Sequence, residues 1–515
     1  MINYGDTQEQ FVDKILLKLP CNWAMRARVK HQALAKNGLK RANEYLLDLQ
    51  DAIQGAIDID IDSNDDDLIY LSLKCVDKVR VLMSEHTTRG AVSLAAARLF
   101  NDLQELCFKF SVRYPIEHDR KQILARLTDS AWWLRGLRVS HAKKAEGAAI
   151  DAGIVNKRAD VYCSTDTLQR RTSQRKRNAE TLEGVKMINT ATGEIMSLAD
   201  IAKGGTGNHE NRRAELVTRV RGFEELANKY GHAAEFITVT CPSRMHAVLS
   251  NGKPNPKYDG TKPDEAQKYL VDNWARVRAQ LARDEVKFYG LRIAEPHHDA
   301  TPHWHMILFY RKSETLKRTL RGVFMKHFLA DSGDEAGALT NRVKFVAINA
   351  ARGTASGYVL KYVLKNIGGL QDGERSDETD NTATNETSKS LYPRVEAWAA
   401  CWRIRQFQQI GGHYVTVWRE LRRVDACKLE GKRPNFVKAW QSCQKLGDNK
   451  ADFAGFIEAM GGLEIKPRES LFKVDYDYTM GQGKYGVTIL TKVLGVGERF
   501  GDDVVATNRQ EWVNL

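Results

Sequence analysis

Residues 288–311 constrain the fold more than any other part of this chain. FYGLRIAEPHHD and TPHWHMILFYR, with one alanine between them, are two apolar, β-branched and aromatic runs separated by a short polar segment. That pattern predicts two strands joined by a turn. Strands joined so tightly run antiparallel, so an antiparallel sheet is expected. Upstream, EFITVTCPS is a β-branched run closed by Pro242 and reads as another strand. PDEAQKYLVDNWARVRAQLARDEV, with its acidic first turn, reads as a helix. The fold class is α+β.

Side chains alternate across a strand, so His303 and His305 project from one face while Trp304 and Met306 pack on the other. Two imidazoles on one face can hold one divalent ion. Glu295, on the preceding strand, offers a third ligand. His297 and His298 lie in the turn, where ligation, hydrogen bonding and solvent exposure all remain open. An isolated His-x-His pair is more often structural, so a second feature matters: YVLKYVLK at 358–365. At about 100° per residue, Tyr358, Lys361, Tyr362 and Lys365 fall within one sector of roughly 100°, and Val359, Leu360, Val363, Leu364 and Ile367 occupy the opposite face. The helix has a complete apolar face without its tyrosines. Two phenols and two ammonium groups on one stripe suit nucleophiles aimed at a phosphate held by a metal.

Other chemistries are excluded. A histidine-triad hydrolase needs a third histidine where Ile307 stands, and neither H-E-x-x-H nor G-x-x-x-x-G-K-[ST] occurs. No use of ATP is expected. The acidic run IDIDIDSNDDD fails as an EF-hand, having Ser63 where glycine is required and Ile69 where glutamate is required. Eight scattered cysteines without a C-x-x-C pair fit free thiols, and no segment approaches eighteen uninterrupted apolar residues. A cytoplasmic protein with no membrane partner is expected. The formal charge of +13 favours polyanionic partners.

Residues 1–125 read as a helical region and 126–209 as a basic helical or linker region; from 135 to 178 there are eleven Lys/Arg against four Asp/Glu. An α+β unit follows at 210–370, then a polar, flexible linker at 371–391. A helical unit rich in Trp and Arg is expected at 392–431, and a small α+β module at 432–515.

FITVTCPS, EPHHDATPHWHMILF and GYVLKYVLKNIG, in this order and spacing, resemble the three motifs of HUH rolling-circle replication initiators. The two-tyrosine form, followed by RVEAWAACWRIRQFQQIGG and TVWRELRR, is similar to the phage GPA family of gene A replication endonucleases from tailed phages and prophages. The resemblance implies an HUH nuclease domain at 210–370, with an antiparallel, RRM-like palm and flanking helices. It implies magnesium or manganese on His303, His305 and Glu295, and Tyr358 and Tyr362 as alternating nucleophiles assisted by Lys361 and Lys365. The activity implied is metal-dependent nicking and rejoining of origin DNA through a 5′-phosphotyrosine, in the cytoplasm of a bacterial host, with a host helicase and polymerase as partners. Arg394, Arg403, Arg405, Trp398 and Trp402 are candidates for contacting single-stranded origin DNA, against a reading as helix packing. An HUH transposase or mobilisation relaxase, and a basic DNA-binding protein without catalysis, are the rival readings.

Overall fold

Runs of β-branched and aromatic residues pair into a five-stranded sheet: β1 (His232–Val239), β2 (Phe288–Pro296), β3 (Pro302–Arg311), β4 (Val343–Ala347) and β5 (Phe407–Ile410). The order is β4-β1-β3-β2-β5, and every neighbouring pair is antiparallel. The structure is a computed structural model. It describes residues 7–19, 21–36, 38–54, 59–87, 92–205, 207–348, 354, 357, 382–445, 450–501 and 503–515.

The expected hairpin is β2–β3. In its turn the His297 amide donates to the Thr301 carbonyl at 2.7 Å, and Ala300 takes φ 70°. The register sets Glu295 opposite His303 and Ile293 opposite His305, while β1 on the other flank sets Thr238 opposite His305. Gly290 sits where β2 is paired on both sides, with Leu308 and Ile410. A Cβ there would lie 1.8 Å from the Ile307 carbonyl oxygen. Gly290→Ala is therefore expected to force the strands apart and cost on the order of 4 kcal/mol or more, read as a large drop in melting temperature.

Each face of the sheet is covered by helix. The helix His209–Tyr230, capped by Asn208 and ended by left-handed Gly231, buries Leu216, Val220 and Phe223 in one core with Phe236, Leu291, Ile293, Ile307 and Phe309. On the other face Trp304 Nε1 donates to Gln267 of the helix Pro263–Arg283 at 3.0 Å. Trp274 of that helix packs against Phe324 of the helix Glu314–Phe328, which also meets Phe345 of β4. Trp304, Met306 and Leu308 on this face are fully buried. The alternation read from the hairpin is thus the one that divides the two cores.

Three expectations need correction. The stretch 126–209 is not all helix or linker, because Lys186–Asn189 and Ile195–Ser197 are paired strands. The stretch 392–431 is not all helix, because Phe407–Ile410 is the edge strand β5. The preceding helix, Thr382–Trp402, stops where Arg403 takes φ 55° and the Ile404 amide reaches back to the Ala399 carbonyl at 2.9 Å, a left-handed helix end. The stretch 371–391 is also not all linker, since residues 382–391 lie in that helix. Their composition is polar, but neither glycine nor proline interrupts them.

The contacts divide the chain into two units, the first comprising 1–167, 247–254 and 480–489 and the second the remainder. The first is built on helices, among them Asp65–Thr87, Val92–Lys109, Arg120–Leu127 and Ser130–Asp151. Asp119 and Asp129 accept backbone amides at the starts of the last two. Val79, Leu103, Leu127, Trp133 and Leu137 are fully buried in its core. In the second unit the short strands Lys186–Asn189 and Ile195–Ser197 pair with each other, and Trp512–Asn514 completes that sheet. Among the described residues no helix is long and apolar enough to cross a membrane.

Candidate metal centre

Cross-strand pairing builds the site. Glu295 and His303 are direct partners on β2 and β3, and His305 lies two residues along β3 on the same face. Ligand atoms of Glu295, His303 and His305 all lie within 4.8 Å of one another. The two Nε2 atoms are 2.9 Å apart, and Glu295 Oε2 is 3.9 Å from His305 Nε2. All three residues are buried, Glu295 at 1 % exposure and each histidine at 9 %.

These residues fit a divalent ion. Two nitrogens bound at right angles to one ion through bonds of about 2.1 Å would be about 3.0 Å apart, close to the observed separation. Two imidazoles and one carboxylate suit a borderline or hard divalent cation, and three ligands leave coordination positions open for a substrate oxygen.

The neighbours orient the rings. Thr238 Oγ1 lies 3.1 Å from His305 Nδ1, and Phe236 stacks on the His305 ring with centroids 5.3 Å apart. With a proton on Nδ1 donated to Thr238, Nε2 presents its lone pair to the cluster. Thr238→Val is expected to weaken divalent-metal affinity by about 10–100-fold, measured by titration calorimetry with manganese, without unfolding the sheet. The His297 ring lies against His303 at 4.1 Å between centroids, with Nε2 shut off from solvent and without a hydrogen-bond partner. Burial, then the nearby charge of His246, pushes the His297 imidazole down to about 3, so it is neutral at physiological pH. His246 Nδ1 in turn lies 2.9 Å from Asp299 Oδ2. Burial alone would raise the Asp299 carboxyl, but the charge and hydrogen bond of His246 outweigh it and hold the group at about 2.

The structure thus brings together Glu295, His303 and His305, with Thr238 behind them. Tyr358, Lys361, Tyr362 and Lys365 lie outside the described residues. Arg403 and Arg405 are exposed and Arg394 is half-buried. Trp398 is fully buried and donates from Nε1 to the Ala300 carbonyl at 2.8 Å, while Trp402 is 3 % exposed. A ring that stacks on bases needs an open face. Neither tryptophan offers one, so the packing alternative replaces the DNA-contact expectation for these two. His246 and Asp299 were missed by sequence reasoning. Asp299 stands in the hairpin turn beside the candidate ligands and carried a signal, whereas nothing around His246 marked it.

A family profile described as bacteriophage replication gene A protein matches residues 67–370. The chain is 37% identical over 415 residues to the replication gene A protein of Escherichia phage 186, spanning 79% of this chain and 57% of the relative. It is 32% identical over 384 residues to the replication gene A protein of Escherichia phage P2, spanning 73% and 49%. It is also 30% identical over 396 residues to a probable replication endonuclease from a prophage-like region of Salmonella typhimurium, spanning 76% and 48%. The chain covers about half the length of these relatives. No solved structure matches it.

Proposed function

The chain belongs to the bacteriophage replication gene A protein family, and from that premise we propose that it is a site- and strand-specific DNA nickase and joining enzyme that starts rolling-circle replication. The observation that carries this reading is the buried cluster of Glu295, His303 and His305, whose nitrogens are spaced as ligands of one ion. The antiparallel sheet, with the His-x-His pair on its middle strand, supports the same reading.

In this reading His303, His305 and Glu295 would hold magnesium or manganese. Such an ion, when bound, would supply Lewis-acid polarisation of the scissile phosphate. Thr238 and Phe236 keep the His305 ring aimed, and the buried surroundings keep water from competing. Tyr358 or Tyr362 supplies the nucleophile. An ordinary phenol has a pKa near 10, so Lys361 and Lys365, each three residues after a tyrosine, favour the phenolate and offset charge on the phosphoryl group. The phenolate oxygen bonds to phosphorus, the bond to the 3′ oxygen breaks, and that oxygen takes a proton from solvent. The products are a 5′-phosphotyrosine and a 3′-hydroxyl that a polymerase can extend. Because the phosphodiester energy stays in the tyrosine link, rejoining needs no ATP. Two tyrosines let one hold the displaced end while the other cuts the regenerated origin. Unwinding falls to a host helicase.

The test is incubation of the full chain with supercoiled or single-stranded DNA carrying the candidate origin, with magnesium and, separately, with manganese. Protein-linked DNA that survives denaturant and is released by protease supports the proposal. Intact DNA without adducts in either metal would reduce the protein to a basic DNA binder.

A further inference from the structure

An anomaly of charge lies on the opposite side of the sheet from the metal cluster. Arg292 of β2 is opposite Met306, which puts it on the face of Trp304 rather than that of Glu295. It is 3 % exposed, its guanidinium lies 4.2 Å from the centroid of the Trp304 ring, and Nη2 donates to the Arg405 carbonyl at 3.1 Å. Its Nε is buried without a hydrogen-bond partner, and among the described residues no carboxylate pairs with it. The charges nearest it are like charges. Burial, then Arg405 and Arg278, pushes the Arg292 guanidinium down to about 10, which still leaves it charged at neutral pH.

Arg405 extends the pattern to the sheet edge, where its Nε donates to the Phe407 carbonyl of β5 at 3.2 Å and Arg219 of the helix His209–Tyr230 also reaches that strand. Arg219 donates to Gln409 of the edge strand β5 at 3.3 Å and shares Glu215 with Arg419, which grips that carboxylate through two bonds of 2.8 Å. Among the described residues, Glu215 is the one carboxylate in an ion pair with any of the guanidinium groups 219, 278, 292, 405 and 419. A buried cation without a counter-charge is costly in a folded protein. Two of the five, Arg278 and Arg405, are exposed to solvent, where a polyanion can reach them. Guanidinium forks match phosphate oxygens in geometry as well as charge.

We propose that this arginine seam binds the phosphodiester backbone of a single DNA strand, using residues separate from the metal cluster. The choice of DNA as the polyanion rests on the nickase reading; the unmatched charge does not. A purely structural role, with Arg292 stacked on Trp304 to steady β3, would not involve Arg278 and Arg405 as charges.

The double variant R278Q/R405Q of the full chain tests this, because both side chains are exposed and their loss leaves the core intact. Binding of a fluorescein-labelled oligothymidylate is followed by anisotropy from low to physiological salt. The variant is expected to bind about tenfold more weakly at low salt, and the slope of log affinity against log salt should shrink by about 1.4, the value for two lost phosphate contacts on a single strand. R278K/R405K, which keeps both charges, should recover most of the slope. Unchanged affinity and slope in R278Q/R405Q would overturn the seam. Covalent adducts with origin DNA, scored on the wild-type chain, separate the two readings. Their absence alongside a normal variant effect removes the nickase and leaves the seam, and the reverse pattern removes the seam alone.

Discussion

Changing both tyrosines together, Tyr358→Phe and Tyr362→Phe, is expected to abolish covalent protein–DNA adducts entirely. Phenylalanine keeps the ring and the helical pattern but has no oxygen to bond to phosphorus, so the effect falls on chemistry alone. Each single change should leave partial cleavage, because the remaining phenol stands only four residues away in the sequence and has its own lysine three residues on. A single variant should stall after one cut, since the second strand transfer lacks its nucleophile. Denaturing gels of labelled origin DNA, with and without protease, read both outcomes. Adducts that persist in the double variant would place the nucleophile elsewhere, and mass spectrometry of the linked peptide would find it.

The second large effect is at the metal cluster. His303→Ala removes a candidate ligand that faces Glu295 directly and stands 2.9 Å from the other imidazole nitrogen. Nicking is expected to fall by at least about a thousandfold, on the order of 4 kcal/mol of transition-state stabilisation. Manganese binding measured by paramagnetic resonance should be lost in the same variant, while far-ultraviolet circular dichroism and oligothymidylate binding should stay close to wild type. If nicking survives with metal binding gone, the cluster is structural and catalysis needs another origin.

Much of this was legible because strand periodicity is rigid. One alternation, read over 302–311, placed the histidines on one face and Trp304 and Met306 in the opposite core. Glu295 was legible for the same reason, since the shortness of the turn limits which residue can oppose His303. The helix expected from Pro263 is present over Pro263–Arg283. Other parts were illegible for physical reasons. β5 is only four residues long and carries two glutamines, so its strand character comes from pairing with β2 rather than from its own pattern. The burial of Trp398 and Trp402 depends on what packs over their helix, and composition near a helix does not say which face is covered. Arg292 went unremarked because a lone arginine within an apolar strand reads as an edge residue until its neighbours are known.

The hairpin has one further consequence. All three candidate ligands fall between residues 295 and 305, so closing a single tight turn gathers them without help from distant parts of the chain. Contacts so close in sequence form early and cheaply in entropy, whereas the support from Thr238 arrives from more than fifty positions away. Gathering the candidate ligands and aligning them thereby become separable events, and changes remote from the turn, such as Thr238→Val, act on the second.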